Sequence, residues 1–162
     1  VPEIYNPLIV PHFEKRNRRI ASDDAERIYN LFKGHTYYVQ KTFNEAFADT
    51  PEGEVCTLET LRAAIDNMIS SNDTIFREIL SNIPEKQKEL LYAIAKDGEA
   101  ERITSAAFIK RHSLTSASSV QSAMKKLLEK DIITEINKVF SVTDKLFAMW
   151  MNRLYGNNDY LS

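Results

Sequence analysis

The chain is predicted to be mainly α-helical, with a four-helix bundle over residues 1–82 followed by three helices and a small antiparallel β-hairpin over residues 83–162. Apolar residues recur three and four apart through most of the sequence, the spacing of helices with one buried face. Only two runs break that rhythm with β-rich composition, Ile132–Ile136 and Val139–Val142, and just Asn137-Lys138 separates them. So short a gap, holding an Asn that tolerates positive φ, predicts a two-residue hairpin turn.

The opening residues contain Pro2, Pro7 and Pro11, three of five prolines in the chain, so they are expected to be extended until a helix starts near Pro11. Phe13 and Ile20 anchor the next stretch and flank Lys15-Arg16-Asn17-Arg18-Arg19, a cationic cluster that either touches phosphate or is solvated at a helix C-terminus. Ser22 is expected to cap a helix with Asp23, Asp24 and Glu26 in its first turn and Ala25, Ile28, Tyr29 and Phe32 as its core stripe. Lys33-Gly34 ends it, and a helix from about Thr36 to Ala48 presents Tyr37, Val39, Phe43 and Phe47. After a turn at residues 49–53, Thr57 caps the longest pattern, Leu58, Leu61, Ile65 and Met68, resumed by Ile75 or Phe76, Ile79 and Ile83, with Ser70-Ser71-Asn72-Asp73 as a candidate break. This last helix is expected to lead stiffly into Pro84.

Pro84 suits a helix start, where its missing N–H is not needed, and Asp97-Gly98 supplies the stop. Leu90, Leu91 and Ile94 share one side between them. Thr104 is placed to cap a short helix carrying Ala107 and Phe108, with Lys110, Arg111 and a structural His112 in its last turn. A third helix runs from Thr115 or Ser116 to about Lys130, with Ala117, Val120, Met124, Leu127 and Leu128 inward. If Ile136 pairs with Val139 in the hairpin, Ile133, Phe140 and Val142 share its covered face. Three helices and a hairpin in this order make a winged helix-turn-helix.

Composition sets bounds on function. At 162 residues and 43% hydrophobic, the chain is long enough for one substantial core or two small ones. An apolar run such as Leu90–Ala95 is far too short to span a bilayer, and no signal-peptide pattern is present, so a cytoplasmic location is expected. A lone Cys56 excludes an internal disulfide. Net charge is −2, with 9 Lys+Arg against 13 Asp+Glu in residues 1–81 and 12 against 10 in residues 82–162. That sign suits nucleic acid in the second half, at a modest size.

No phosphate-cradling G-x-x-x-x-G-K-[ST] or G-x-G-x-x-G loop is present, and His12, His35 and His112 lack zinc-ligand spacing. No G-x-S-x-G elbow occurs either, so no catalytic or metal-ligating residues are assigned. The outward side of the third helix and the wing tip nominate Ser118, Ser122, Lys125, Lys126 and Lys138 as contacts for double-stranded DNA. Glu129 opposes those cations, and no arginine is placed there to read guanine, so packing on a protein partner is the competing reading.

From about Phe13 to Arg153 the chain resembles the C-terminal part of archaeal-type P-loop ATPases, relatives of the AAA+ and STAND ATPases that also occur in Bacteroides-like bacteria. The resemblance lies in FEKRNRRI at residues 13–20, KGHTYYVQ at 33–40 and, most distinctively, LLEKDIITEINKVFSVTDKLFAMW at 127–150. It implies a helical lid-like domain ahead of the winged helix, and a closing helix over residues 144–155 with Leu146, Phe147 and Trp150 packed on the wing. Burial of each such side chain is worth about 1.5–3 kcal/mol. It further implies a missing ATPase core that binds ATP and Mg, with Gly34, His35 and Thr36 near the nucleotide, although His35 also reads as a local turn residue. Thr36 and Lys145 stand where the family commonly has proline, and Tyr37 where related lids carry an arginine phosphate sensor. By this resemblance the chain, which starts at Val1 without Met, is a non-catalytic piece of a longer protein, coupling nucleotide state to a protein or DNA partner. It would do so by rigid-body movement of the two domains through the Thr57–Ile83 helix. The alternative is a free-standing winged-helix transcription regulator.

Overall fold

The computed structural model describes residues 2–155 and 160–161, and side chains from Leu8 onward. It is mainly helical with two small sheets, and it divides into two compact units, one of residues up to 71 together with 160–161, the other of residues 72–155.

The first unit contains α1 (Pro2–Glu14), β1 (Arg19–Ile20), α2 (Ser22–Leu31), α3 (Thr36–Asp49), β2 (Val55–Cys56) and α4 (Leu58–Ser71). Its opening residues are helical rather than extended. Proline at position 2 costs a helix nothing, and α1 packs along α2 with Phe13 buried edge-on against Phe47, which offsets the bonds lost at Pro7 and Pro11. The basic stretch after α1 is a tight turn. Asn17 takes φ 54 and accepts from Gly53 N–H, and Arg19 enters a short parallel ladder, Arg19 with Val55 and Ile20 with Cys56. Arg18 is tied down, donating from Nε to Thr50 O at 2.6 Å with its guanidinium 4.4 Å over the Phe47 ring.

Helix α2 begins at Ser22, so Ala21 and not Ser22 holds the cap position, and it makes no side-chain cap bond. Ala25, Ile28 and Phe32 are buried as its periodicity requires, and Tyr29 is half-buried. On α3 the buried row is Val39, Thr42, Phe43 and Ala46, while Tyr37 is 60% exposed. Position 37 lies about 200° around the helix from position 39, so the two cannot share a face. Thr57 Oγ1 accepts from Thr60 N–H at 3.2 Å, capping α4.

The second unit contains α5 (Asp73–Ser81), α6 (Glu85–Asp97), β3 (Ala100–Glu101), α7 (Ala106–Arg111), α8 (Ala117–Glu129), β4 (Ile133–Ile136), β5 (Val139–Val142) and α9 (Lys145–Leu154). The long pattern from Thr57 to Ile83 is therefore not one continuous helix. It stops at Ser71, and Asn72 holds a non-helical φ of −99 and ψ of 3 before α5 begins. Helix α5 packs on α9, where Phe76 meets Phe147 and Trp150 at centroid distances of 5.2 and 5.7 Å.

Helix α6 is the centre of the unit, contacting α8, α9 and β5 with Leu90, Leu91 and Ile94 buried. Gly98 ends it at φ 75, a conformation that favours a residue without Cβ. Ser105 rather than Thr104 caps α7, accepting from Phe108 N–H at 3.2 Å. The hairpin pairs Ile136 with Val139 across Asn137 at φ 52 and Lys138 at φ 65, the two positive angles of a twist-matched turn. Ile133, Phe140 and Val142 are buried together beneath it. The sheet also has a third strand, since β3 pairs with β5 through Ala100–Phe140 and Glu101–Val139. Asp144 caps α9 by accepting from Leu146 and Phe147 N–H.

Candidate interaction surface

Helix α8 is set by its cap and its buried row. Ser116 Oγ accepts from Ser119 N–H at 3.2 Å, and Val120, Ala123 and Leu127 are buried, with Met124 and Leu128 half-buried beside them. Ala117, expected inward, is exposed; it lies about one turn ahead of Val120, the first buried residue of α8. The opposite side carries Ser118, Gln121, Ser122, Lys125, Lys126 and Glu129, all exposed.

All five residues nominated for DNA contact lie in the second unit and reach solvent, four on α8 and Lys138 at the wing tip. Their chemistry differs. Lys126 Nζ sits 3.0 Å from Glu129 Oε2, and its hydrogen bond and charge hold the Glu129 carboxyl below the ordinary glutamate range. Lys125 adds to that field from a greater distance and makes no hydrogen bond among the described residues. Ser118 Oγ is engaged with Ser116 Oγ at 3.2 Å. Along the wing, Glu135 and Ile136 are exposed, Ile136 to 66%. The surface thus offers three lysines against two glutamates, with an apolar residue at its tip.

Gly34, His35 and Thr36 lie in the first unit at the start of α3. Gly34 adopts φ 74 and donates from N to Tyr29 O at 2.9 Å; a Cβ there would be strained at that φ and would sit 2.6 Å from the Tyr29 hydroxyl, so the position favours glycine. His35 occupies the cap position of α3, exposed, with its ring centroid 4.8 Å from that of Tyr38. Tyr37 is beside it, with Lys41 Nζ 6.0 Å from its centroid.

Two features escaped the sequence reading. Trp150 Nε1 donates to Asp73 Oδ1 at 2.8 Å while Asp73 Oδ2 accepts from Arg77 Nε at 2.8 Å, fastening α5 to α9. The Arg77 hydrogen bond first, then that of Trp150, lowers the Asp73 carboxyl from its ordinary value. The four-residue spacing of Asp73 and Arg77 was a visible signal, whereas the pairing with Trp150 was not. The second feature is a link between Asp97 and the end of α7. Asp97 binds Arg111, and His112 Nε2 lies 3.1 Å from Asp97 Oδ2 and 3.3 Å from Arg111 Nε. That nitrogen donates to Asp97 when it carries the proton and accepts from Arg111 when it does not. The His112 ring packs with its centroid 4.5 Å from that of Phe108.

No group of three or more His, Cys, Asp or Glu side chains among the described residues is arranged to hold a metal ion, and no helix among them is long and apolar enough to cross a membrane. Cys56 is buried, and burial pushes its thiol upward.

The three helices, the hairpin and the third strand define a winged-helix domain. Residues 74–153 match a family model described as a probable winged helix domain, from within α5 to the end of α9. Neither the curated proteins nor the solved structures compared with the chain give a match. The domain fits a role in binding DNA or protein.

Proposed function

We propose that this chain is the non-catalytic interaction region of a P-loop ATPase, its winged helix engaging a protein partner and its helical unit lying over a nucleotide held by an ATPase core. The observation that carries the choice of partner is the near-neutral outer side of α8 and the wing. Lys126 is paired with Glu129, no arginine is present on that side of α8, and Ile136 stands exposed at the tip. Interfaces with duplex DNA are strongly positive, and strong binders neutralise six to ten phosphates. Three lysines fall well short of that. The ATPase part of the reading is supported by the three sequence stretches that resemble such proteins and by the position of Gly34, His35 and Thr36 at the entry to α3, where His35 and Thr36 are exposed.

The ATPase reading is tested on the complete reading frame. A Walker-type loop encoded ahead of Val1, together with azido-ATP photolabelling of the peptide holding Gly34, His35 and Thr36, is the expected result. A complete reading frame without that loop, or labelling that never reaches this peptide, would refute it. DNA binding that is tight and steeply salt-dependent would instead favour the transcription regulator.

A further inference from the structure

A cleft of about 450 Å³ opens in the second unit where α6, the end of α7 and the end of α9 meet, and its lining includes none of the residues assigned to DNA or nucleotide above. Its walls include Tyr92 and Lys96 from α6, Arg111 from α7, Met151 and Asn152 from α9, and Tyr155 just past its end. That volume lies within the range of small-molecule sites.

The lining has a definite character. The Tyr92 and Tyr155 rings meet edge-to-face with centroids 5.1 Å apart, and with buried Met151 and Ala93 they make an apolar, partly aromatic wall. The Tyr92 hydroxyl is pushed upward by burial and by its hydrogen bond with Tyr155, so it stays neutral. Asn152 Nδ2 donates to Ala95 O at 2.9 Å, which fixes its amide at the rim.

The charges nearly cancel in pairs. Glu89, also in the lining, accepts from Lys86 at 3.0 Å, and Arg111 is bound to Asp97. Lys96 is left as the lining cation with no ionic or hydrogen-bonded partner among the described residues. One positive charge beside a partly aromatic wall suits a small flat molecule bearing one negative charge, its ring against the tyrosines and its anion on the lysine.

We infer that this cleft is a binding site for a small aromatic monocarboxylate, its ring against Tyr92 and Tyr155 and its carboxylate on Lys96. The same cleft is lined by His112 and Ser113, in the turn between α7 and α8, so an occupant would tie that turn to α6 and α9.

The test is a titration of the isotope-labelled chain with 2-naphthoate, its neutral amide and acetate, read by amide chemical shifts. Saturable shifts centred on Tyr92, Lys96, Ser113 and Asn152 are expected with naphthoate, about fivefold tighter than with the amide and absent with acetate. Lys96→Gln, at an exposed position, should erase the preference for the acid, and Tyr92→Ala should weaken both aromatic probes. No saturable shift by about 5 mM, equal binding of acid and amide, or shifts centred elsewhere would overturn the assignment.

Discussion

Replacing Phe76 by alanine should collapse the second unit, although the residue lies on a nine-residue helix outside the core of three helices and hairpin that the sequence reading assigned to the winged helix. Phe76 is 3% exposed and sits within 6 Å of both Phe147 and Trp150, so truncation removes a full aromatic side chain from a packed cluster. Such changes cost about 3–5 kcal/mol, against roughly 5–15 kcal/mol for a whole domain and nearer the low end for a small one. With a urea dependence of about 1 kcal/mol per molar, the midpoint should fall by about 3 M or the unit should be unfolded in buffer. Trp150 is the sole tryptophan in the chain, so its emission reports this unit directly. Ile75→Ala, one position away and 54% exposed, should change the midpoint by no more than about 0.5 kcal/mol equivalent. If Phe76→Ala moves the Trp150 transition no further than Ile75→Ala does, α5 is not part of the winged-helix core.

Three further outcomes follow from particular residues. The Asp73 carboxyl is lowered in the folded state, so its contribution is present above the ordinary aspartate range and lost as pH falls through the lowered value. The Trp150-monitored midpoint should therefore drop below about pH 4, less steeply in Asp73→Asn. Gly34→Ala should destabilise the first unit by about 1–3 kcal/mol in a thermal melt, because φ 74 is strained for alanine and the new Cβ meets Tyr29. Asp131, at φ 55 just after α8, should gain about 0.5–1 kcal/mol on replacement by glycine in urea unfolding.

What the residues revealed and what they hid divides along sequence separation. Asn137-Lys138 declared the wing and its register because the turn depends on those two residues alone, and Ser116 declared its helix through a bond within three positions. Local chemistry misled in two places. The prolines of α1 argued against a helix that packing on α2 sustains, and Ser22 looked like a cap although the helix starts one residue earlier than that reading required. Features built across long separations left little trace. The pairing of Ala100 with Phe140, the bond from Trp150 to Asp73 and the convergence of Tyr92 with Tyr155 each join segments more than thirty residues apart. The five surface candidates were legible as outward positions, but the Lys126–Glu129 pair that weakens their cationic character needed the side-chain geometry.

The central functional claim is that the outer side of α8 and the wing meets protein rather than duplex DNA. Fluorescence anisotropy of a labelled duplex, titrated with this chain over a salt series, tests it most directly. Weak binding is expected, with a log–log salt slope no steeper than about −2.7, the limit for three lysines each neutralising one phosphate. Tight binding at physiological salt with a slope of about −5 or steeper, abolished by Lys125→Glu with Lys126→Glu, would contradict the account.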